Sequence, residues 1–265
     1  MIINQIILEM KRNYYPTNLT EKQWQVIEKM LDPQKRKRKH SLRSIVNALF
    51  YIVKTGCQWR MLPRDFAPWN TIYFYFRKWK YEGVIEELND YIRGLLRKRA
   101  GRYPSPSLGI IDSRSVKTTS VGGSERGFDG GKNVKGRKHH IIVDTMGLLM
   151  AVVVHSAQIH DSKAALSVIE RLRFRFPRLR KIIADGGYKG KELADQIKLS
   201  FGWLFEVIPR NQQKFQVIPK RWIVERSFAW LEANRRLAND FEYQPQTSET
   251  MIQLAMIRIM LNRLK

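Results

Sequence analysis

Three carboxylates stand where they could act together on a metal ion. Asp112 and Asp185 each end a short apolar run, and such runs are typical of strands that carry an acid at the carboxyl end. Glu225 lies in a later apolar stretch of helical period. Two buried carboxylates on neighbouring strands would repel each other, and one would take up a proton. A divalent cation removes that conflict, and ligands that are all oxygen favour Mg²⁺, which Mn²⁺ could replace, over zinc.

The same residues also have readings without chemistry. Asp185 precedes Gly186 and Gly187, and Asp-Gly is ordinary turn chemistry. Glu225 follows Arg221 by four residues, so the two could form only a helix-surface ion pair, which contributes about 0.2 to 0.5 kcal/mol. The order of the surrounding elements and the charge of the chain favour the site, but the residues alone leave these alternatives open.

The elements that would position the three acids follow Pro104 and Pro106, which mark a predicted domain boundary. Hydrophobic periodicity predicts strands at 108–112, 139–144, 148–155, 181–185 and 203–208, with helices at 162–174, 191–199, 219–237 and 247–264. Residues 119 to 137 are rich in Gly, Ser and Lys and predict a flexible basic loop. Crossovers of this length require parallel pairing after an antiparallel hairpin. The pattern therefore predicts an α/β domain over 104–265, a mixed five-stranded sheet with helices on both faces.

Residues 16–103 read as all-α, after an N-terminal extension over 1–15. Thr20 and Gln23 form a predicted capping box, Ser41 caps the next helix, and Gly56 ends it. Two short helices joined by a turn are predicted between residues 59 and 82, and the second is aromatic on one side and basic on the other. This arrangement favours a helix-turn-helix-like DNA-binding domain. The alternative is a helical subdomain whose lysines are only solvated.

The charge of the chain restricts its partners. Lys plus Arg is 48 and Asp plus Glu is 24, so the net charge is +24, a value that favours the phosphate backbone of nucleic acid. No stretch has the apolar and basic faces of a membrane-surface helix, and no signal peptide or apolar run of about 18 residues is evident. A single cysteine excludes an intrachain disulfide. We expect a cytoplasmic protein associated with the nucleoid.

In their order, the motifs around the acids resemble the DDE transposases of bacterial insertion sequences, most closely insertion-sequence family five. The acids lie in IDSRSVK, IADGGYKG and RWIVERSFAWL, and the similarity extends over LTEKQWQVIEKML, GCQWRMLPRDFAPWNTIYFYFRKW and the C-terminal NRRLANDFEYQPQTSETMIQLAMIRIML. The resemblance implies a ribonuclease H-like catalytic fold that binds two Mg²⁺ ions. It implies that Asp112 bridges both ions while Asp185 and Glu225 each hold one, and that no covalent nucleophile is needed.

The last motif departs from the tyrosine, arginine, glutamate and lysine pattern of related enzymes. Arg221 matches the arginine, but Ile218 and Glu232 stand where a tyrosine and a lysine are expected. Helical spacing would place Arg236 on the face that carries Glu225, so we expect Arg236 to supply the missing cation.

The resemblance implies binding to terminal inverted repeats, strand cleavage, 3′-hydroxyl transfer into target DNA, and a homodimer on DNA. Its rivals are a repressor that binds DNA without cutting it and a ribonuclease H-like nuclease that does not transfer strands. Predicted DNA contacts are Arg77, Lys78, Lys80, Lys117, Lys135, Arg137, Lys138, His140, Lys189, Arg221 and Arg236. Asp144, His160 and Asp161 are expected either near the metals or, in the simpler reading, as turn and helix-capping residues.

Overall fold

The computed structural model describes residues 15–31, 37–208 and 220–264. Its α-helices are α1 (Glu21–Leu31), α2 (Leu42–Thr55), α3 (Trp69–Tyr81), α4 (Val84–Arg99), α5 (Asp161–Glu170), α6 (Lys191–Phe201), α7 (Trp222–Glu232) and α8 (Pro245–Asn262). Its strands are β1 (Leu108–Lys117), β2 (Gly127–Asp129), β3 (Val134–Val143), β4 (Leu149–Ser156), β5 (Lys181–Asp185) and β6 (Leu204–Ile208). The expectations for residues 1–14, Lys35, Ile218 and Pro219 lie outside the described residues.

The predicted helix ends in the N-terminal part are confirmed. The Thr20 amide donates to Gln23 Oε1 at 2.9 Å, and the Gln23 amide donates back to Thr20 Oγ1 at 3.3 Å. Ser41 Oγ accepts from the Ser44 amide, and Gly56 ends α2 with a φ of 73°. A capping box and a left-handed glycine therefore fix the boundaries that the sequence indicates.

The sheet has the strand order β4-β3-β1-β5-β6, with β2 on the same edge of β3 as β4. β1 is antiparallel to β3 and parallel to β5, and β5 is parallel to β6. This mixed sheet, with helices on its faces, fits the ribonuclease H-like domain that the resemblance implies. The predicted hairpin and the predicted parallel pairing are confirmed.

The five-strand prediction misses β2, and it places the start of β3 in a flexible loop. Gly127 pairs with Gly136 inside that stretch, and Gly136 also pairs with Lys117 of β1. A Cβ on Gly136 would lie 2.0 Å from the Val116 carbonyl oxygen. The glycine is therefore required where two backbones approach closely, although glycine-rich composition suggested flexibility.

Side chains on the two faces of the sheet pack into different cores. Ile110 packs in a core with α7, α8 and the N-terminal helices, whereas Ile111 packs with α5 and α6. The first core joins residues on both sides of the predicted boundary at 103, so the apolar packing does not divide there.

The predicted helix-turn-helix stays a prediction. Its first element, Trp59–Met61, is a single 3-10 turn, and α3 follows after a short connection. In the described ranges, no helix is long and apolar enough to cross a membrane.

Candidate metal centre

Strand register brings Asp112 and Asp185 to the same level of the sheet. In the parallel pairing of β1 with β5, Ile110 lies opposite Ile183, and each acid follows two residues later. Side chains two residues apart share one face of a strand. Burial is the main reason that the pKa of Asp112 is raised to about 6, and the charge of Asp185 raises it further. The two predicted ligands therefore form an electrostatically coupled pair, which we call the acidic pair.

Arg221 connects the acidic pair to Glu225. The apolar stripe of α7, which contains Val224 and Phe228, is buried against the sheet, and this leaves the first turn of the helix beside the strand ends. The buried Arg221 guanidinium lies 3.5 Å from Asp185 Oδ2 and 3.2 Å from Glu225 Oε1. One guanidinium therefore contacts two of the three predicted ligands.

The donor chemistry fits a hard divalent cation, since all three side chains offer carboxylate oxygens. In the described part of the chain, no three His, Cys, Asp or Glu side chains converge closely enough to hold a metal ion. The exposed Glu225 carboxylate is held by Arg221 and not by the acidic pair. A site that used all three carboxylates would therefore need Glu225 to come closer to the acidic pair.

Gly187 lies in the turn that follows Asp185. Its amide donates to Asp185 Oδ1 at 2.9 Å and so orients that carboxylate. A Cβ on Gly187 would lie 3.0 Å from the same oxygen and 4.0 Å from Asp161 Oδ2. A side chain would therefore crowd the approach to Asp185.

A second acidic group lies beside the first, on the other face of β1. Lys138 Nζ is 2.9 Å from Asp161 Oδ1 and 3.7 Å from Asp129 Oδ2. Ser113 Oγ donates to Asp161 at 2.8 Å, and Ser115 Oγ donates to Asp129 at 2.5 Å. Burial alone would raise the pKa of each acid, but these bonds and the lysine charge outweigh it, so both pKa values are lowered. We call Lys138, Asp129 and Asp161 the lysine cluster.

A buried chain of hydrogen bonds runs from Tyr188 to Ser156. His155 Nδ1 lies 3.0 Å from the Ser156 carbonyl, which can only accept, so Nδ1 carries the proton. His155 Nε2 then accepts from His140 Nδ1 at 3.3 Å, and His140 Nε2 accepts from the Tyr188 hydroxyl at 2.7 Å. Burial, followed by the neighbouring His155, lowers the pKa of His140 to about 3. Burial also lowers the pKa of His155, so the pKa shifts of both histidines favour the neutral imidazoles that this chain of bonds uses.

Four predicted DNA contacts are corrected by their burial: Arg137, Lys138, His140 and Arg236. The basic run that begins at Lys135 was expected to contact DNA phosphates, but it lies in β3, which is flanked by strands on both sides. Arg137 is fully buried and donates to the carbonyls of Glu242 and Tyr243 at 2.7 and 2.8 Å. These side chains are bonded within the fold and do not face solvent.

Arg236 was expected on the face of Glu225, but α7 ends at Glu232. Residues Arg235–Leu237 form a separate 3-10 turn, in which Arg236 pairs with Glu242 at 2.7 Å. Glu232 pairs instead with Arg114 at 2.8 Å. Arg236 therefore does not replace the missing lysine, because the helix does not continue far enough to align it.

The remaining predicted contacts differ in exposure. The exposed ones are Arg77, Lys78, Lys117, Lys135 and Lys189. Lys80 is half-buried and donates to Thr247 and Gln244, whereas Arg221 is buried between the acids. DNA contact by these residues stays a prediction.

The three residues expected near the metals have different roles. Asp144 is fully buried, pairs with Arg97 at 2.6 Å and accepts from the amides of Met146 and Leu148, which is the turn reading. It follows Val143, which lies opposite Ile110, so it is displaced from Asp112 along the sheet. His160 caps α5 by accepting from the Ser162 amide. Asp161 lies beside the Gly187 turn.

Three residues of this region were not predicted: Asp129, Lys132 and Tyr188. Lys132 Nζ donates to the Ser113 carbonyl at 3.1 Å, and its charge opposes the rise in the pKa of Asp112. Asp129 and Lys132 fall in the stretch that composition assigned to a flexible loop. Tyr188 directly follows Gly187, and this position in the sequence could have indicated that Tyr188 lies near the acidic pair.

Two family models match the chain. The family described as "Transposase DDE domain" matches residues 103–260, more than half of the chain, and "Putative transposase of IS4/5 family" matches residues 19–89. DDE transposase domains generally use divalent metal ions.

Two curated proteins of Burkholderia cepacia are similar. "Putative transposase for insertion sequence element IS402" is 28% identical over 138 residues, which are 49% of this chain and 65% of that protein. "Insertion element IS402 uncharacterized 16.2 kDa protein" is 28% identical over 108 residues, which are 37% of this chain and 72% of that protein. The match to the first of these relatives thus spans slightly less than two thirds of its length.

Proposed function

Because the chain belongs to the transposase DDE domain family and is of the IS4/5 insertion-sequence type, we propose that it is a metal-dependent DNA transposase. It binds the terminal inverted repeats of its element, cleaves strands there to expose 3′-hydroxyls, and joins them to target DNA. The observation that carries this proposal is the parallel register that aligns Asp112 with Asp185, beside an arginine that also contacts Glu225.

Asp112, Asp185 and Glu225 are the residues that would hold metal ions. Two Mg²⁺ ions, or Mn²⁺ in their place, would supply activation of water or a 3′-hydroxyl and stabilisation of the leaving oxygen. Asp112 has no Lys or Arg ion pair of its own in the described ranges, so it is the carboxylate with most to gain from a bound cation. Asp185 is oriented by the Gly187 amide, and the absence of a Gly187 side chain leaves room for a phosphodiester.

Arg221 changes partner when Glu225 becomes a ligand. Its Nε is buried and has no acceptor in the described part of the chain, while its terminal nitrogen contacts the acids. Once Glu225 has moved away, the guanidinium is free to donate to a phosphate oxygen of the bound strand. Arg221 thereby keeps Asp185 and Glu225 from repelling each other before DNA and metal bind.

Exposed cations hold the DNA outside the centre. Arg77, Lys78, Lys117, Lys135 and Lys189 face solvent in a chain of net charge +24. Binding should therefore weaken steeply with salt, because each neutralised phosphate releases counterions. We propose a homodimer on DNA, since two element ends must be joined in one reaction.

The decisive experiment compares the chain with Asp185→Asn and a matched control, Asp195→Asn, on labelled element ends with Mg²⁺ and a supercoiled target. Asp195 is an exposed acid of α6. Wild type and the control should process the ends and form joined products, while Asp185→Asn should bind the ends without cutting them. Equal processing by all three proteins, or none by the wild type, contradicts the proposal. Cleavage without joined products would instead identify a nuclease.

A further inference from the structure

A groove on the helical part of the protein is lined by aromatic rings and arginines. Its volume is about 510 Å³, and its aromatic lining is Trp59, Trp69, Tyr73, Tyr81 and Tyr243, with Arg60 and Arg77 beside them. A neighbouring cavity of about 550 Å³ shares Tyr73, Arg77 and Tyr81 and adds Phe74. We call this continuous surface the aromatic groove.

Most rings of the aromatic groove reach solvent, although Trp59 also packs against the core. α3 buries Ile72, Phe76 and Trp79 on its inner side, whereas Tyr73 and Tyr81 follow a stripe on its outer side. Tyr81 is 67% exposed and Tyr243 is 70% exposed. Exposed aromatic rings gathered in one place mark a binding surface, because single scattered ones would need no explanation.

The cations of the groove lie against these rings. The Arg60 guanidinium is 5.4 Å from the centre of the Trp69 ring, and that of Arg77 is 5.8 Å from the centre of the Tyr81 ring. In the described ranges, neither arginine forms an ion pair with a carboxylate. Glu242 also lines the groove, but it is already paired with the buried Arg236. The groove therefore combines stacking surfaces with free positive charge.

We propose that the aromatic groove binds unpaired nucleobases of a DNA strand, one stacked on Tyr73 and another on Tyr81, with the adjoining phosphates held by Arg60 and Arg77. Aromatic rings interleaved with cations bind single-stranded nucleic acid with little sequence preference, because every base has a stacking face. The inference rests on the proposed function and extends it, since DNA contact by α3 was expected as duplex recognition through helix-turn-helix geometry.

The position of the groove agrees with a strand that also reaches the metal centre. The Asp240 amide donates to the Lys117 carbonyl at 2.8 Å, so the segment that leads to Tyr243 begins beside the end of β1. Lys117 is five residues beyond Asp112, about 17 Å along an extended strand. A DNA strand bound at Asp112 could therefore reach the groove within a few nucleotides.

A second copy of this chain is the competing occupant. Two copies that met through the groove would bring together arginines of the same sign in a chain of net charge +24. A polyanion has the complementary charge, so DNA is the favoured occupant.

The test uses a short single-stranded oligonucleotide with one 2-aminopurine, whose fluorescence is quenched by stacking. The variants are Tyr81→Leu, Tyr73→Leu and Arg77→Gln, and the control is Tyr103→Leu. Tyr103 is also 67% exposed and lies under an arginine, Arg178, but outside the groove. Each groove tyrosine variant should bind on the order of tenfold more weakly, as expected for one lost stacking ring. The control should bind and quench as the wild type does.

Three results would overturn the inference. The groove variants could bind as tightly as the wild type, or Tyr103→Leu could lose as much affinity as Tyr81→Leu. The groove variants could also shift the monomer–dimer equilibrium in sedimentation without changing the quenching, which would assign the surface to a second copy. Circular dichroism of each variant separates lost binding from lost folding.

The end-processing assay separates this inference from the proposed function. If the wild type processes element ends but the groove variants bind the oligonucleotide normally, the inference about the groove is wrong and the proposed transposase function stands. If the wild type binds the oligonucleotide through the groove but processes no element ends, the proposed transposase function is wrong and the inference about the groove stands.

Discussion

The acidic pair and the lysine cluster lie on opposite faces of the sheet, and the pKa of Asp112 is shifted in the opposite direction to those of Asp129 and Asp161. The pKa of Asp112 is raised to about 6 by burial and by Asp185. The pKa of Asp161 is lowered, because Lys138 and Ser113 outweigh the effect of burial. The difference comes from direct partners, because Lys138 and Ser113 bond to Asp161, whereas Lys132 and Arg221 act on Asp112 only through their charge.

The difference identifies which acids can accept a ligand. In the lysine cluster every carboxylate already has a partner, so the cluster is a closed structural element. In the acidic pair, Arg221 contacts Asp185 but makes no ion pair with Asp112. A buried carboxylate such as Asp112, which has no direct ion pair, costs stability in the free protein and favours any divalent cation that enters. A carboxylate without a direct ion pair, and not the mere presence of acids, distinguishes the candidate metal centre.

The largest effect is expected from Asp112→Asn, which removes the acid without a built-in cation. A metal ion contributes several kcal/mol to transition-state stabilisation, and each 1.36 kcal/mol is tenfold in rate, so cleavage should fall by more than about a thousandfold. Binding of element ends should persist, because it depends on exposed cations. Labelled element ends with Mg²⁺ measure the first quantity, and a gel shift measures the second. Cleavage within tenfold of wild type would place the chemistry elsewhere.

The sequence predicted the strands that carry the acidic pair better than the contacts that form the lysine cluster. Apolar runs that end in Asp112 and Asp185 predict the two strands, and parallel pairing follows from the crossover lengths. The predicted end is right for Asp185, but β1 continues to Lys117, so Asp112 lies within its strand. The partners of buried cations cannot be read in this way. Arg137 meets Asp240, which is 103 residues away, at 3.2 Å, and no local pattern indicates that contact. A basic run therefore looked like a DNA surface although it belongs to a central strand.

Composition was also misleading where glycine serves packing. Gly136 permits the close approach of β3 to β1, and the predicted flexible loop around it contains β2 and Asp129. The prediction for Arg236 failed for a different reason, since helical spacing was extended past the end of α7. Helix ends that lack a glycine or proline signal are not determined by periodicity alone.

The next largest effect is expected from Lys138→Met, which removes the cation of the lysine cluster. The buried Asp129 and the partly buried Asp161 would lose their cation, and breaking a buried ion pair on one side costs about 3 to 5 kcal/mol. The matched control is Arg43→Ala, whose partially exposed pair with Glu21 should contribute about 0.2 to 1 kcal/mol. Urea unfolding measures both free energies. Equal losses for the two variants would contradict the distinction between the clusters.

A pH dependence of stability should belong to the acidic pair. The pKa of Asp112 rises from 3.8 to about 6 on folding, so between these values the folded state holds the proton more tightly. Stability from this group is therefore present below pH 3.8 and is lost as pH rises through 6, a loss of about 3 kcal/mol by the usual conversion. Asp112→Asn removes the loss.

Urea unfolding in a chelator at pH 4 and pH 7 measures that dependence. The free energy of Asp112→Asn minus that of the wild type should increase between the two pH values. The lowered pKa values of Asp129 and Asp161 act in the opposite direction, but they are common to both proteins and cancel in the difference. A difference that stays constant with pH would show that Asp112 is already neutralised by a neighbour.

The smallest effect is expected from Tyr188→Phe, which removes one donor between the two clusters. The Tyr188 hydroxyl is the donor to His140 Nε2, and every other polar atom of that buried chain is already committed. A buried acceptor left without a donor costs about 1 to 3 kcal/mol. Tyr103→Phe is the control, because Tyr103 is exposed and its loss of a hydroxyl should change stability by less than about 0.5 kcal/mol.

Tyr188→Phe and its control also test whether the hydrogen-bonded chain from Tyr188 to Ser156 supports only the lysine cluster or also the acidic pair. Tyr188 directly follows the turn that orients Asp185, but its hydroxyl bonds on the face of the lysine cluster. If the chain only fills that face, Tyr188→Phe should lower the free energy of unfolding and leave the rate of end cleavage by folded protein unchanged. If it also positions Asp185, cleavage should fall by about 10- to 100-fold, the usual loss when an outer-shell partner of a metal ligand is removed. We expect cleavage to fall, because Gly187 connects Tyr188 to Asp185 within a single turn.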